Sequence, residues 1–420
     1  MIIFIVDVEC PQFSCRGMEF VMIKVAVLGY GTVGSGVVQV LQDNADVIRA
    51  RVGEDIEVKY ILDLRDFPGD KNEGLVVHDV NIILDDPEVN IVCETMGGVH
   101  PAFDFSMSAL KAGKCVCTSN KELVENHGPE LIATARANGC NYLFEAAVGG
   151  GIPIIRAMNT SLAQEKIVKI MGILNGTTNY ILTKMAKDGV SYETVLKEAQ
   201  ELGYAERNPE ADVEGHDAGR KIAILASLMT GKTVKFADIS TEGITKINNR
   251  DFEYAKKMGK SIKLIAVAEE SDGVACIVAP FMIGADHPLN GVNGVFNAVH
   301  VTGNMLWDAM FYGQGAGKLA TASAVVADVV DMARNMGREL PCVWDEEKLE
   351  LADYKKLVKR FFVRAAVKSR GEVLNTFGSI DEVDLFDEEF AFITSHMSEH
   401  EFDKKIANIK GVIKTIRVAD

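Results

Sequence analysis

Short apolar runs alternate with helix-like patterns over the first third of the chain. Apolar strands are predicted at residues 23–28, 56–62, 89–93, 115–118 and 141–144, and helices at 35–48, 101–111 and 128–138. Such alternation predicts an α/β fold built on a doubly wound, mostly parallel sheet of the Rossmann type. In such sheets, ligands bind beyond the carboxyl ends of the strands.

The first strand runs into the turn GYGTVG, which is followed by a helix. In this context Gly29 permits a tight turn, Gly31 lets the backbone approach a pyrophosphate, and Gly34 lets helix and strand pack closely. The helix N-terminus then faces the anion. The turn therefore predicts a nicotinamide dinucleotide site. Asp63 and Arg65 both follow the second strand, so the sequence leaves NAD and NADP as alternatives.

Two later segments also carry candidate site residues. Lys121 follows a strand end, where it is either a site residue or a solvated lysine at a helix start. The segment 145–153 reads EAAVGGGIP and combines one carboxylate with a glycine-rich backbone. Carboxylate and carbonyl oxygens suit a hard cation, whereas a flexible interdomain hinge is the alternative.

In the middle of the chain, charged candidate site residues are most closely spaced in residues 203–221 (GYAERNPEADVEGHDAGRK). From Asp217 the pattern is helical and apolar nearly all round, which predicts a buried helix that stops at Gly231. Asp217 and Lys221 are one turn apart on it. A partly buried lysine flanked by carboxylates is a candidate for proton transfer, and an ordinary surface ion pair is the alternative.

Strands are also predicted at 167–174, 262–268, 274–283 and 295–301, and a helix at 192–201. The polar cluster 175–179 (NGTTN) suits either a small substrate or plain helix capping. After a charged linker at 345–356, strands at 360–367, 389–395 and 412–418 with a helix at 398–409 predict a small α+β module. Such a module binds an effector or partner, or acts as a structural cap.

Composition narrows the class of protein. A chain of 420 residues predicts two or three domains, and a net charge of -16 argues against nucleic-acid and anionic membrane partners. No run has the 18 or so apolar residues of a membrane helix, and residues 1–21 read as an extension rather than a signal peptide. The eight cysteines show no zinc spacing, which favours reduced thiols in a cytoplasmic protein.

Seven motifs in order resemble the homoserine dehydrogenase family: GYGTVGSGV, ETMGG, TSNKELV, EAAVGGGIPII, GILNGTTNYIL, GYAERNPEADVEGHDAGRKIAILA and GQGAGKLATASAVVAD. The tail resembles an ACT domain, a βαββαβ regulatory module. This resemblance implies an extension (1–21), a dinucleotide-binding domain (22–150, with 305–340 packing back onto it), an α+β substrate and dimerisation domain (151–304) and an ACT-like domain (355–420). It further implies a homodimer or homotetramer.

The resemblance implies NAD(P)-dependent interconversion of L-homoserine and L-aspartate 4-semialdehyde, in threonine and methionine biosynthesis. Lys221 matches the general acid/base, Asp217 the carboxylate beside it and Lys121 a second active-site lysine. Substrate positions match Glu206, Asp212, Asp217, Lys121, Gly176 and Thr177. Cofactor positions match Gly29, Tyr30, Gly31, Thr32, Val33, Gly34, Arg65, Thr95, Lys121, Gly203 and Gly315. A sodium site matches Glu145, Val148, Gly150 and Ile152.

The tail departs from its pattern, because it reads VKSRGEVLNTF where an Asp-x-Pro-Gly turn is usual, and it reads as shortened. Whether it binds threonine or another effector is therefore open. Two other functions compete with the main one: a Rossmann dehydrogenase for another amino acid, and a non-catalytic metabolite sensor. The acidic loop argues against the first, and the complete set of lysines and carboxylates argues against the second.

Overall fold

The computed structural model describes residues 22–419 and places their strands in two main sheets. The predicted extension, residues 1–21, lies outside the described residues. The first sheet has six parallel strands in the order β3-β2-β1-β4-β5-β6. They are β1 (Ile23–Leu28), β2 (Ile56–Leu62), β3 (Val76–Val77), β4 (Val89–Glu94), β5 (Cys115–Thr118) and β6 (Tyr142–Leu143). The predicted doubly wound α/β class is thus confirmed.

Helices connect these parallel strands, because a parallel pair needs a crossover. They are α1 (Thr32–Asp43), α2 (Ala45–Val52), α3 (Asn81–Leu84), α4 (Ala102–Lys111) and α5 (Lys121–Ala137). Two predictions here were wrong in detail. The helix predicted over 35–48 is two helices joined at Asn44, and α5 begins at Lys121 rather than at 128. Asn120 caps α5 by accepting the backbone N–H of Leu123 at 3.1 Å. Because of this cap, the helix begins at Lys121, earlier in the chain than predicted.

The middle domain lies between the first sheet and the tail in the chain. It contains helices and strands of the second sheet, which is mixed parallel and antiparallel. Its strands are β7 (Ile167–Ile173), β8 (Ser240–Thr241), β9 (Lys260–Ser271), β10 (Gly273–Gly284), β11 (Phe296–Gly303) and β12 (Trp307–Gln314). Its helices are α6 (Ile154–Arg156), α7 (Gly176–Asp188), α8 (Tyr192–Glu201), α9 (Glu210–Val213), α10 (His216–Thr230) and α11 (Asn249–Lys257). Helix α12 (Lys318–Arg334) follows and lies against α1, where a side chain at Gly36 would collide with Ala322.

The tail has the order strand, helix, strand, strand, helix, strand, apart from one two-residue strand. Its elements are β13 (Val358–Ala366), α13 (Arg370–Phe377), β14 (Asp381–Phe386), β15 (Glu389–Ile393), β16 (Met397–Ser398), α14 (Glu399–Ile406) and β17 (Val412–Ala419). The sequence missed α13 and β14. Strand β17 pairs with both β13 and β10, so the tail and the middle domain share one sheet, in the order β12-β11-β7-β9-β10-β17-β13-β15-β14.

Candidate active site

A cleft of about 640 Å³ brings together residues that are far apart in the sequence. Several segments line it, among them the start of α5, the glycine-rich loop 146–150, the start of α7, the loop after α8, helices α9 and α10, and the turn before α12. The predicted site residues among them are Lys121, Val148, Gly150, Gly176, Thr177, Gly203, Asp212, Asp217, Lys221 and Gly315. The cleft therefore joins the edge of the first sheet to the middle domain.

Asp217 lies at the centre of the polar groups in this cleft. Its Oδ2 accepts a hydrogen bond from Lys221 Nζ at 2.8 Å, and its Oδ1 lies 3.0 Å from Lys121 Nζ. The residue is buried, at 5% exposure. Burial by itself raises a carboxyl pKa, but the ammonium groups of Lys221 and Lys121 outweigh it and hold the pKa of Asp217 well below its usual range. Asp217 is therefore ionised at neutral pH.

Helix α10 positions Asp217 and Lys221 on the same face. The helix begins just after Gly215, whose φ of 82° is in the left-handed region that favours glycine. Asp217 in the first turn is favourable for the helix dipole. One turn on, Lys221 also donates to the carbonyl of Leu174 at 2.8 Å, so its ammonium is held by two fixed acceptors. The predicted pair is thus buried in the cleft, and the surface alternative is excluded.

Lys121 reaches the same carboxylate from the first sheet. It is the first residue of α5, just beyond the end of β5, and its side chain is 38% exposed. The charge of Asp217 raises the pKa of Lys121, so its ammonium stays protonated at neutral pH. One carboxylate thus compensates two ammonium groups that come from different domains.

Asn175 belongs to the polar cluster 175–179, but the sequence did not single it out as a site residue. Its Nδ2 donates to Asp212 Oδ1 at 2.7 Å and to Asp217 Oδ2 at 2.9 Å. Its Oδ1 accepts the backbone N–H of Thr178 at 2.9 Å, which caps α7. The capping alternative for the polar cluster is therefore confirmed, and substrate binding by this cluster stays a prediction. Burial raises the pKa of Asp212, whose carboxylate faces this amide.

The start of α7 and the loop before α9 form another wall. Thr177 Oγ1 donates to the carbonyl of Tyr204 at 2.6 Å, and a side chain at Gly176 would collide with the carbonyl of Val295. Glu206 differs from the other predicted substrate positions. It is exposed and does not line the cleft, although Gly203 and Tyr204 of the same loop do.

The glycine turn has the geometry that a dinucleotide requires. Gly29 has a φ of 90°, and a Cβ on Gly34 would lie 1.8 Å from the carbonyl oxygen of Gly29. A Cβ on Gly31 would have no protein atom within 4 Å. Thr95 braces the turn, since its hydroxyl donates to the carbonyls of Leu28 and Gly29 at 2.9 Å each. Gly31 thus leaves open the space that a pyrophosphate needs.

The residues expected at the ribose end of a dinucleotide lie around this turn. Asp63 accepts from the backbone N–H of Tyr30 at 2.8 Å and from the guanidinium of Arg65 at 2.9 Å and 3.0 Å. Arg65 holds the pKa of Asp63 well below its usual range. The ring of Tyr30 is buried against Phe67, so it points into the protein. Thr32 and Val33 form the first turn of α1, with Thr32 exposed.

The two glycine-rich loops at the back of the cleft pack against each other. A Cβ on Gly150 would lie 2.4 Å from the backbone of Gly315, and a Cβ on Gly315 would lie 2.0 Å from the amide of Asn297. The N–H of Gly151 donates to the carbonyl of Gln314 at 3.0 Å. Glycine is required at these positions by close backbone approach.

Glu145 is buried beside these loops, and its two carboxylate oxygens accept the backbone N–H groups of Ile155 and Arg156 at 2.9 Å and 2.7 Å. Burial raises its pKa. Each oxygen keeps a further lone pair, so the carboxylate fits a hard cation together with nearby carbonyls. The carbonyl of Ile152 already accepts the N–H of Ile154 at 2.9 Å. No cluster of three or more His, Cys, Asp or Glu suited to a metal occurs within residues 22–419.

A Rossmann-type domain whose sheet edge opens onto two lysines and a buried carboxylate is typical of a nicotinamide-dependent oxidoreductase. Comparisons with known proteins agree. The model of the homoserine dehydrogenase NAD binding domain matches residues 29–145, and the homoserine dehydrogenase model matches residues 153–330.

Curated relatives and solved structures give the same family. The chain is 44% identical over 319 residues to a homoserine dehydrogenase of Bacillus subtilis, covering 75% of this chain and 73% of the relative. It is 46% identical over 318 residues to one of Synechocystis, covering 74% and 73%. A homoserine dehydrogenase structure from Thiobacillus denitrificans is 35% identical with a TM-score of 0.87, covering 95% of this chain and 98% of that one.

The chain therefore belongs to the homoserine dehydrogenase family. Its activity is that of a homoserine dehydrogenase, an oxidoreductase that acts on a small molecule with NAD or NADP. Over residues 22–419, no helix is long and apolar enough to cross a membrane.

Proposed function

We propose that Lys221 is the general acid/base of the reaction. The observation that supports this is its partly buried ammonium, held 2.8 Å from Asp217 inside the cleft. In the oxidative direction, neutral Lys221 takes the hydroxyl proton of L-homoserine while hydride leaves C4 of the substrate, which gives L-aspartate 4-semialdehyde. A bound nicotinamide would supply the acceptor for that hydride. Asp217 orients Lys221, and Lys121 contributes a fixed positive charge beside the reacting oxygen.

The substitution Lys221→Ala tests this role. Turnover should fall by about two to four orders of magnitude, because the proton loses its acceptor, while the dinucleotide still binds with near-normal affinity. Lys232→Ala is the control, since Lys232 follows the same helix but pairs with Glu347 away from the cleft. Steady-state rates and fluorescence titration of the reduced dinucleotide give both quantities. Unchanged turnover would remove Lys221 from the role.

Glu206 binds the substrate ammonium in this proposal, together with Asp212. Its support is its place on the loop whose neighbours Gly203 and Tyr204 line the cleft. Because the carboxylate is exposed here, this role needs the loop to move toward the substrate. Glu206→Gln should raise the KM for L-homoserine and leave the KM for the dinucleotide unchanged. An equal rise in both constants would contradict the assignment.

The dinucleotide is NADP in this proposal. Arg65 engages the Asp63 carboxylate, which otherwise would hold a ribose 2′-hydroxyl, and its own side chain is 63% exposed. A guanidinium there suits a 2′-phosphate. Initial rates with L-homoserine should therefore give a larger kcat/KM with NADP than with NAD, and Arg65→Gln should reverse that order. A wild-type preference for NAD would overturn the proposal.

A sodium ion at the loop of Glu145, Val148, Gly150 and Ile152 is also proposed. The oxygen-only donor set and the buried Glu145 carboxylate support it. Such an ion would fix the loop at the back of the cleft. Replacing sodium by choline in the buffer should lower the melting temperature of the wild type, and Glu145→Gln should remove that difference. Equal melting temperatures in both salts would exclude the ion.

The tail, residues 355–420, is proposed to be an ACT-like domain, because the order of its long elements is βαββαβ. A scan of amino acids, threonine first, for inhibition of turnover tests whether it takes an effector. Loss of that inhibition in tail variants would support the assignment, and an insensitive enzyme would leave it as a structural cap.

A homodimer is proposed through the edge strand β12. Met310 and Tyr312 on this strand and Met305, Leu306 and Trp307 before or at its start are exposed apolar side chains at the end of the sheet. Light scattering after size exclusion should show a dimer or tetramer, which Met310→Glu should dissociate.

A cytoplasmic location is also proposed, because Cys93 and Cys117 lie 3.5 Å apart without a disulfide. Fractionation of cells tests the location.

A further inference from the structure

A second pocket lies in the middle domain, away from the residues of the catalytic cleft. It has a volume of about 550 Å³ and is bordered by the last turns of α7 and α11 and the start of β9. Its polar lining comprises Lys187, Lys256, Lys260, Lys263, Asn290 and Asn293, with hydroxyl groups beside them. We call it the lysine pocket. Its volume is in the range of metabolite sites.

The lysine pocket has a charge opposite to that of the protein. Lys187, Lys256 and Lys263 line it, and no Asp or Glu is among the described residues of its wall. The chain as a whole has a net charge of -16. In an acidic protein, a concave site walled by lysines focuses a local positive potential and attracts anions.

Lys263 makes this site more than a group of surface lysines. It is 3% exposed, and its ammonium donates to the carbonyl of Val292 at 2.6 Å, Asn293 Oδ1 at 2.8 Å and Asn179 Oδ1 at 3.4 Å. All three acceptors are neutral, and no carboxylate of the described chain is within ion-pair distance. Burial lowers its pKa to about 8. A buried cation without an anion is costly, so an anion in the pocket would supply the missing charge.

Helix dipoles account for part of this arrangement but not for all of it. Lys187 and Lys256 lie in the last turns of α7 and α11, where a positive charge is favourable for each helix. That effect explains the two lysines individually. It does not explain why both border the same cavity, or why Lys263 lies buried on a strand at its wall.

We propose that the lysine pocket binds a small metabolite that carries phosphate groups. A phosphate group carries nearly two negative charges at neutral pH, which two ammonium groups match. Lysine is a compact point charge suited to phosphate, and the amides of Asn290 and Asn293 add hydrogen-bond donors. The site is distinct from the glycine turn that takes the pyrophosphate of the dinucleotide.

Calorimetric titration with inorganic pyrophosphate tests this site. The full-length enzyme is first saturated with the dinucleotide, so that the glycine turn is occupied and does not contribute to the heat. The double variant Lys187→Gln, Lys256→Gln removes two exposed lysines of the pocket and should weaken binding by about ten-fold. Lys257→Gln is the matched control, because Lys257 is exposed at the end of α11 and does not line the pocket.

The expected result is one pyrophosphate per chain, weakened in the double variant and unchanged in the control. Citrate, a polycarboxylate, should bind more weakly than pyrophosphate. No pyrophosphate binding, or equal weakening by Lys257→Gln, would overturn the proposal. Citrate binding at least as tightly as pyrophosphate would contradict phosphate as the recognised group. Turnover of homoserine is independent of these outcomes.

Discussion

At the scale of single residues, the site depends on charges that compensate one another. The sequence predicted that Asp217 and Lys221 share a helix face and that Lys121 follows a strand end, and the structure brings all three together. The contact between the amide of Asn175 and Asp217 was not predicted, because the two residues are 42 positions apart and their contact depends on how β7 and α10 pack. The catalytic roles stay predictions.

Glu94 offers a test of buried charge at this scale. It ends β4, is fully buried, and accepts the N–H of Met96 at 2.6 Å and the hydroxyl of Thr118. Burial raises its pKa from 4.5 to about 7. Between these pH values the folded protein holds a proton that the unfolded chain releases, so the unfolding free energy falls as pH rises through this window.

Glu94→Gln should remove this dependence. Relative to the variant, the wild type should lose about 3 kcal/mol of unfolding free energy between pH 4.5 and pH 7, since one pKa unit corresponds to about 1.4 kcal/mol. Urea titrations of both proteins at pH 5 and pH 8 measure the difference. Parallel pH curves for the two proteins would show that Glu94 does not titrate in this range.

At the scale of elements, the sequence predicted those with regular apolar patterns and missed those without them. Five of the six strands of the first sheet were found because they are apolar runs, whereas the two-residue strand β3 was missed. Strand β12 was missed because its side chains are exposed or only partly buried, so it shows no inward and outward alternation of apolar residues. Helix α13 and strand β14 of the tail were missed for the same reason: most of their residues are exposed or partly buried.

The glycine turn contains one glycine that close packing requires, Gly34, and one that faces the predicted dinucleotide, Gly31. Gly34→Ala should destabilise the protein, because its Cβ would lie 1.8 Å from the carbonyl oxygen of Gly29. Gly31→Ala should fold normally, because no protein atom lies within 4 Å of its Cβ and its φ of -81° suits alanine. Its methyl group would instead meet the dinucleotide.

Thermal unfolding and dinucleotide titration of the two variants check this contrast. For Gly31→Ala the melting temperature should match the wild type while the KM for the dinucleotide rises by about ten-fold or more. A normal KM in that variant would mean that the pyrophosphate does not approach Gly31.

At the scale of the whole molecule, the tail is fixed to the middle domain by more than a linker. Beyond the shared sheet, Arg364 of β13 donates to Asp251 of α11 at 2.7 Å, with both side chains buried. Arg417 of β17 links Glu399 of the tail to Glu242 of the middle domain at 2.6–2.8 Å. Sequence reasoning predicted a tail module but not these contacts. The contacts of Arg364 and Arg417 with the middle domain join residues more than a hundred positions apart.

Arg364→Met should lower the free energy of unfolding of the whole protein. Removing the guanidinium leaves the buried Asp251 carboxylate without its partner, which costs about 3–5 kcal/mol of unfolding free energy. Arg370→Met is the control, because Arg370 pairs with Glu382 and Asp384 inside the tail at partly exposed positions and should cost about 1 kcal/mol or less. Urea unfolding at pH 7 measures both. Equal losses of unfolding free energy in the two variants would mean that the buried interdomain pair contributes no more to stability than the partly exposed pairs of Arg370.

The position of β17 also sets the order in which the sheet is completed during synthesis. Both of its partners, β10 and β13, precede it in the chain. A ribosome adds about 5–20 residues per second, so the edge of β10 over residues 281–283 waits several seconds for its native partner. An unpaired strand edge is a template for strands of other chains. Slow codons between β10 and β17 would therefore lengthen the time in which neighbouring nascent chains can join by mistake.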